Sequence, residues 1–131
     1  MKIIIAVIAL TVGSMAESKE TDYINLESAG TGRVGDQLVR YLAWSRNDCI
    51  VVQNLVLGGD GQVSAQKEIC SLNGKNFNDG YTDVSLKKGM FQEGKLFFEL
   101  GVTSLRQTGE KIMICEVVFR GSLADHLSCQ N

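Results

Sequence analysis

Proline is absent from this chain, histidine and tryptophan each occur once, and aromatic residues make up only 7% of the 131 positions. Each scarcity excludes something. With one histidine, His126, neither a histidine-rich metal site nor a paired-imidazole centre can be assembled. Without proline, edge strands lack their commonest conformational guard and need charges, loops or pairing with another chain. Basic charge is also scarce: the formal net charge is −2, and Lys87–Lys88 is the only adjacent basic pair after residue 2. Polyanions and anionic membrane surfaces require a basic stripe, so neither nucleic acid nor membrane is expected as a partner. No N-x-S/T acceptor for glycosylation occurs.

Only one long apolar run is present, and it stands at the start. Lys2 precedes Ile3 to Leu10, and Ser14, Met15 and Ala16 then place small residues at the two positions a signal peptidase reads. The run is too short for the roughly 20 residues of a membrane helix. We therefore expect residues 1–16 to be a signal peptide cleaved after Ala16, and residues 17–131 to form a single domain carrying a net charge of about −3. The mature protein is expected in the periplasm or outside the cell.

Four cysteines, Cys49, Cys70, Cys115 and Cys129, all follow that segment, and an even count behind an export signal reads as two disulfides. Three pairings are formally open. Cys49 begins an apolar run, Ile50 to Val52 and Leu55 to Leu57, that meets the turn Gly58, Gly59, Asp60, Gly61; an alternating stretch then leads to Ile69 and Cys70. Two such runs about a glycine-rich turn make a β-hairpin. Its centre lies midway between Cys49 and Cys70, which places them opposite each other and favours their bridge. Cys115 and Cys129 are left to pin the C-terminal segment onto the preceding strand.

Period-two alternation continues downstream. Val84 and Leu86 read as a short strand turning at Gly89 to Gly94. Leu96, Phe98, Leu100 and Val102 share one face of the next strand, and Met113, Cys115, Val117 and Phe119 one face of the following one. Residues 35–44 fit either a helix or a strand, and consistency with the rest selects strand. Short strands separated by turns imply an all-β sandwich, not a layered α/β fold.

Several patterns invite chemistry. Gly30, Thr31, Gly32, Arg33, Val34, Gly35 spells G-x-G-x-x-G after a strand expected over Tyr23 to Glu27, but a dinucleotide site needs a parallel βαβ sheet that the hairpins do not provide, so the segment is expected to be an ordinary flexible loop. Ser122, Asp125 and His126 fall within five positions, unlike a triad assembled from separate elements. The segment Asn73 to Asp83 is rich in Asn, Asp and Gly, yet lacks calcium-loop spacing and uses the vocabulary of turns. Trp44 is expected to anchor the core. Neither cofactor, metal nor catalytic residue is assigned, and a binding function is expected in place of catalysis. Ile50 to Val52, Leu55 to Leu57, Leu96 to Phe98, Ile112 to Ile114 and Val117 to Phe119 are apolar on both strand faces, a surplus that a second copy, a partner protein, or the chain's own loops and N-terminal segment would cover.

With its size, hairpins, Trp44 ahead of Cys49 and two local disulfides, the chain resembles the fibronectin type III and immunoglobulin-like sandwiches of cytokine-receptor ectodomains, and among bacterial proteins the secreted interleukin-receptor mimics. That resemblance implies a secreted, cytokine-binding virulence protein that forms a strand-exchanged homodimer on host immune signalling proteins. It assigns no binding residue. A second class of small, exported, disulfide-bonded β proteins inhibits hydrolases such as lysozyme, and there the Asn73 to Tyr81 loop would enter the enzyme's cleft.

Overall fold

A computed structural model describes residues 23–130, and the expected signal peptide lies outside them. Among the described residues every regular element is a strand: β1 (Ser28–Val34), β2 (Gln37–Ala43), β3 (Ile50–Leu55), β4 (Val63–Ile69), β5 (Ser71–Leu72), β6 (Lys75–Asn76), β7 (Tyr81–Gln92), β8 (Lys95–Ser104), β9 (Lys111–Arg120) and β10 (Leu123–Gln130). They form two four-stranded antiparallel sheets, β1-β2-β3-β4 and β10-β9-β8-β7, with β5 and β6 as a separate small hairpin. The expected all-β, disulfide-stapled sandwich is the observed architecture. Each sheet is filled by consecutive strands, whereas immunoglobulin connectivity interleaves strands between sheets.

The turns explain the meanders. Asn73–Gly74 and Glu93–Gly94 both adopt positive φ, 53° and 79°, 50° and 74°, between the paired residues Leu72 and Lys75, and Gln92 and Lys95. Two consecutive left-handed residues match the twist of the strands they join and set a two-residue hairpin. The β3–β4 hairpin has the register expected of it: Ile50 pairs with Ile69, and Cys49 and Cys70, one step beyond, are bridged with Cα atoms 4.3 Å apart. Cys115 faces Cys129 directly across β9 and β10, and these two are likewise bridged.

Between the sheets lies one apolar core. Val39, Tyr41, Ala43, Ile50 and Val52 from the first sheet meet Val84, Leu96, Phe98, Leu100, Val102, Met113, Cys115, Val117 and Leu127 from the second. The alternation read in β8 and β9 is therefore the inward face, as expected. Two corners join the sheets. At one, β1 lies beside β7, and the Tyr41 ring fills the space over Gly30 and Gly89 while Phe91 covers Gly32. The tips of the two hairpins also touch, Gly35 N–H donating to the Gly94 carbonyl at 3.1 Å. At the other corner β4 lies beside β10, and buried Asn54 on β3 donates from Nδ2 to the Ser122 carbonyl (2.6 Å) and to Gln37 Oε1 (3.2 Å).

Four local expectations are corrected. Tyr23 to Glu27 form a turn and an irregular lead-in, not a strand, because Glu27 makes its backbone bond to the end of β2 before pairing begins at Ser28. The G-x-G-x-x-G segment is consequently strand β1 and its turn; Gly30 and Gly32 give room to aromatic rings, not to a phosphate. The strand containing Val84 and Leu86 continues through Gly89 to Gln92, since Gly89 pairs with Phe98 and accepts Tyr41. Trp44 sits half-buried just past β2, outside the core cluster.

Candidate interaction surfaces

The apolar surplus divides between the two sheets. On β3 all six residues are buried, so Val51 and Leu55, whose side chains alternate away from the inter-sheet core, are covered as well. Beside them Gln53, fully buried, donates to Gln66 Oε1 (3.0 Å) and accepts from Arg40 Nε (2.8 Å), with the Tyr23 hydroxyl 3.4 Å from both Gln53 Nε2 and Arg40 Nη2. The Arg40 guanidinium stacks 5.6 Å from the Tyr23 ring centre. This face is therefore already partnered within the chain.

The outer face of the second sheet differs. Ile112 and Ile114 on β9 are 49% and 41% exposed. Met90 and Phe97, half-buried, pair across β7 and β8, and Phe97 and Glu116 pair across β8 and β9. Glu99 stands opposite Ile114. A shallow hollow of about 110 Å³ is lined by Phe97, Ile114, Glu116, Ser128 and Gln130. Apolar anchors thus alternate with two carboxylates on a sheet face whose backbone bonds hold them in place.

At one end of the sandwich the Asn73 to Asp83 segment is a hairpin and a turn leading into β7, not the open loop expected from its composition. Phe77 is buried beneath it, its N–H donating to the Cys70 carbonyl, and the Tyr81 hydroxyl donates to the Leu72 carbonyl at 2.8 Å. Burial raises the Tyr81 pKa, a shift that the Asn73 side-chain hydrogen bond partly opposes, and the phenol stays neutral. The Asn73–Gly74 dipeptide was the signal for this hairpin.

Ser122, Asp125 and His126 do not converge on one reactive point. Ser122 occupies the β9–β10 turn and offers its carbonyl to Asn54, while Asp125 sits at a bulge in β10. Exposed His126 Nδ1 lies 2.8 Å from Asp125 Oδ2, which Arg120 also approaches at 3.4 Å. The His126 hydrogen bond, with lesser help from the Arg120 charge, lowers the Asp125 pKa. Among the described residues the one grouping of potential metal ligands is Cys49, Glu68 and Cys70, whose two sulfurs are joined to each other. The four cysteines are structural, and none is free.

No protein-family model, no curated protein and no solved structure matches this chain.

Proposed function

We propose that this is an exported protein-binding module whose outer β7–β10 sheet face docks a partner protein. The observation that carries the reading is the exposure of Ile112 and Ile114 on β9, where Ile114 pairs with both β8 and β10 and Ile112 pairs with β8, in company with Phe97 and Met90. Exposed apolar groups held in fixed positions lose little entropy on binding, and their burial supplies affinity. Glu99 beside them, with Glu116 only loosely engaged by Lys95 at 3.9 Å, favours a partner whose apolar patch carries basic side chains at its edge. Two disulfides accord with residence in an oxidising compartment. The resemblance to cytokine-receptor sandwiches supplies the partner class, a host cytokine or surface protein. It rests on size, sandwich architecture and disulfides, not on connectivity.

The test is binding of the oxidised protein to a panel of cytokines, with the Ile112→Glu/Ile114→Glu double variant as control. Both side chains lie outside the core, so the variant should fold, with a loss of up to about 1 kcal/mol because Ile114→Glu sets a second carboxylate opposite Glu99. Its affinity for any partner found should fall by about tenfold or more, as for loss of a central anchor. A variant that binds as tightly as the parent would overturn the assignment of the face.

A second reading is favoured by the β5–β6 hairpin. Its exposed Asn73–Gly74 tip stands on a base anchored by Phe77 and Tyr81, the rigid projection that an inhibitor needs to enter an enzyme cleft. Assay against lysozymes separates this reading from the first, because a hairpin-tip inhibitor would be insensitive to the Ile112 and Ile114 substitutions.

A further inference from the structure

Beside that hairpin, and sharing Asn73 and Tyr81 with it, lies a cleft to which neither reading gives a ligand. Tyr81 opens β7 paired with Ser104 at the end of β8, and on either side of this pair the chain diverges: the β5–β6 hairpin leaves one way, the β8–β9 turn the other. Two adjoining hollows, about 380 and 280 Å³, share Lys75, Tyr81, Ser104 and Gln107. Tyr81, Val102 and Met113, all nearly buried, supply an apolar floor.

The charge on the walls is of one sign. Lys75, Arg106 and Lys111 line the cleft, and no acidic side chain does. Among the described residues none of the three enters an ion pair. Lys75 Nζ instead stands 5.9 Å from the centre of the Tyr81 ring, the electron-rich face of a phenol held neutral. The acid nearest Arg106 and Lys111 in sequence, Glu110, is engaged by Lys87 at 3.0 Å, and Asp79, nearest Lys75, is not among the lining residues. Another groove shows the contrast: it carries both signs, Arg46 with Asp83 at 3.3 Å, Lys87 with Glu110 at 3.0 Å, and the further acid Glu27. In an acidic protein, Lys75 and Lys111 about the apolar-floored hollow, with Arg106 on the adjoining one, form a local field that an anion would complete. Ser104, Gln107 and Asn73 add neutral hydrogen-bonding groups.

From this arrangement we infer that the cleft binds a carboxylate carried on a small apolar body. The carboxylate meets Lys75 and Lys111 at the rim, and the apolar body rests on Tyr81, Val102 and Met113. Volumes near 300 Å³ suit a small ligand. The same chemistry is presented by a free fatty or aryl acid and by the C-terminus of a peptide ending in an apolar residue. This site is separate from the proposed docking face, so either can fail alone.

The experiment is a nuclear magnetic resonance titration of the oxidised full chain with hexanoate, and with hexanamide as its neutral twin. A peptide ending in leucine, as free acid and as amide, forms the second arm. Hexanoate should shift the amides of Tyr81, Val102, Ser104, Gln107 and Met113, and hexanamide should not. In the Lys75→Gln/Lys111→Gln variant, whose replaced side chains are exposed and leave the core intact, affinity should drop by about tenfold or more. Tighter binding of the free-acid peptide than of hexanoate assigns a chain terminus as the source, and the reverse assigns a small free acid. Equal shifts with hexanoate and hexanamide, no shifts with either acid, or unchanged binding in the double variant overturns the inference.

Discussion

Tyr41 shows how single residues couple the two halves of this molecule. Its ring is 6% exposed, packs edge-on to Phe98 at 5.4 Å, and lies near Phe91 at 6.1 Å. What makes the space is the absence of side chains at Gly30 on β1 and Gly89 on β7. A methyl group at Gly30 would stand 2.5 Å from the ring's Cε2, and one at Gly89 would stand 2.3 Å from its Cζ. Gly30→Ala is therefore expected to destabilise by about 1–3 kcal/mol, the range for an overpacked core, as read from the midpoint of denaturant unfolding. A change of less than about 0.5 kcal/mol, typical of a surface site, would mean the ring has another place to go. None of this was legible in the sequence. The same glycines spell a nucleotide-binding pattern, and only the pairing of β1 with β2, and its neighbour β7, reveals that they accommodate rings.

At the scale of elements, the hairpins and their disulfides were readable because their information is local. A glycine-rich turn centred between Cys49 and Cys70 specifies which residues oppose each other, and alternation in β8 and β9 specifies which face is buried. Where turn chemistry is subtler the reading was incomplete. Gly89 resembles a turn residue, yet the chain reverses only at Glu93–Gly94, where two left-handed residues lie together. The cross-strand Cys115–Cys129 bridge closes a segment of 14 residues and ties the last strand to the core. Replacing both cysteines by alanine should lower unfolding free energy by about 3 kcal/mol in the chain-entropy description. Chemical denaturation of the double variant against the oxidised parent measures it. A loss under about 1 kcal/mol would mean that the native bridge is offset by strain or that the unfolded chain is already ordered.

For the whole molecule, the decisive feature is that every strand described finds its partners within one chain. Both four-stranded sheets form within one chain, and the outer β7–β10 face is the surface we propose for docking. Light scattering across a dilution series should accordingly give the mass of one chain, at most 14.3 kDa, for the oxidised protein without partner. A stable dimer would assign the apolar face to a second copy and favour the strand exchange that the receptor-mimic resemblance implies. The Ile112→Glu/Ile114→Glu variant would then decide whether that dimer uses this face. Alternation, turn residues and cysteine spacing were enough to specify strands, hairpins and disulfides, because each depends on residues near in the chain. The order of strands in the sheets, the covering of β3 on both sides, the exposure of Ile112 and Ile114, and the meeting of Lys75 with Arg106 and Lys111 depend on packing between distant segments. Side-chain volume and sheet geometry decide those only once the two meanders are brought face to face.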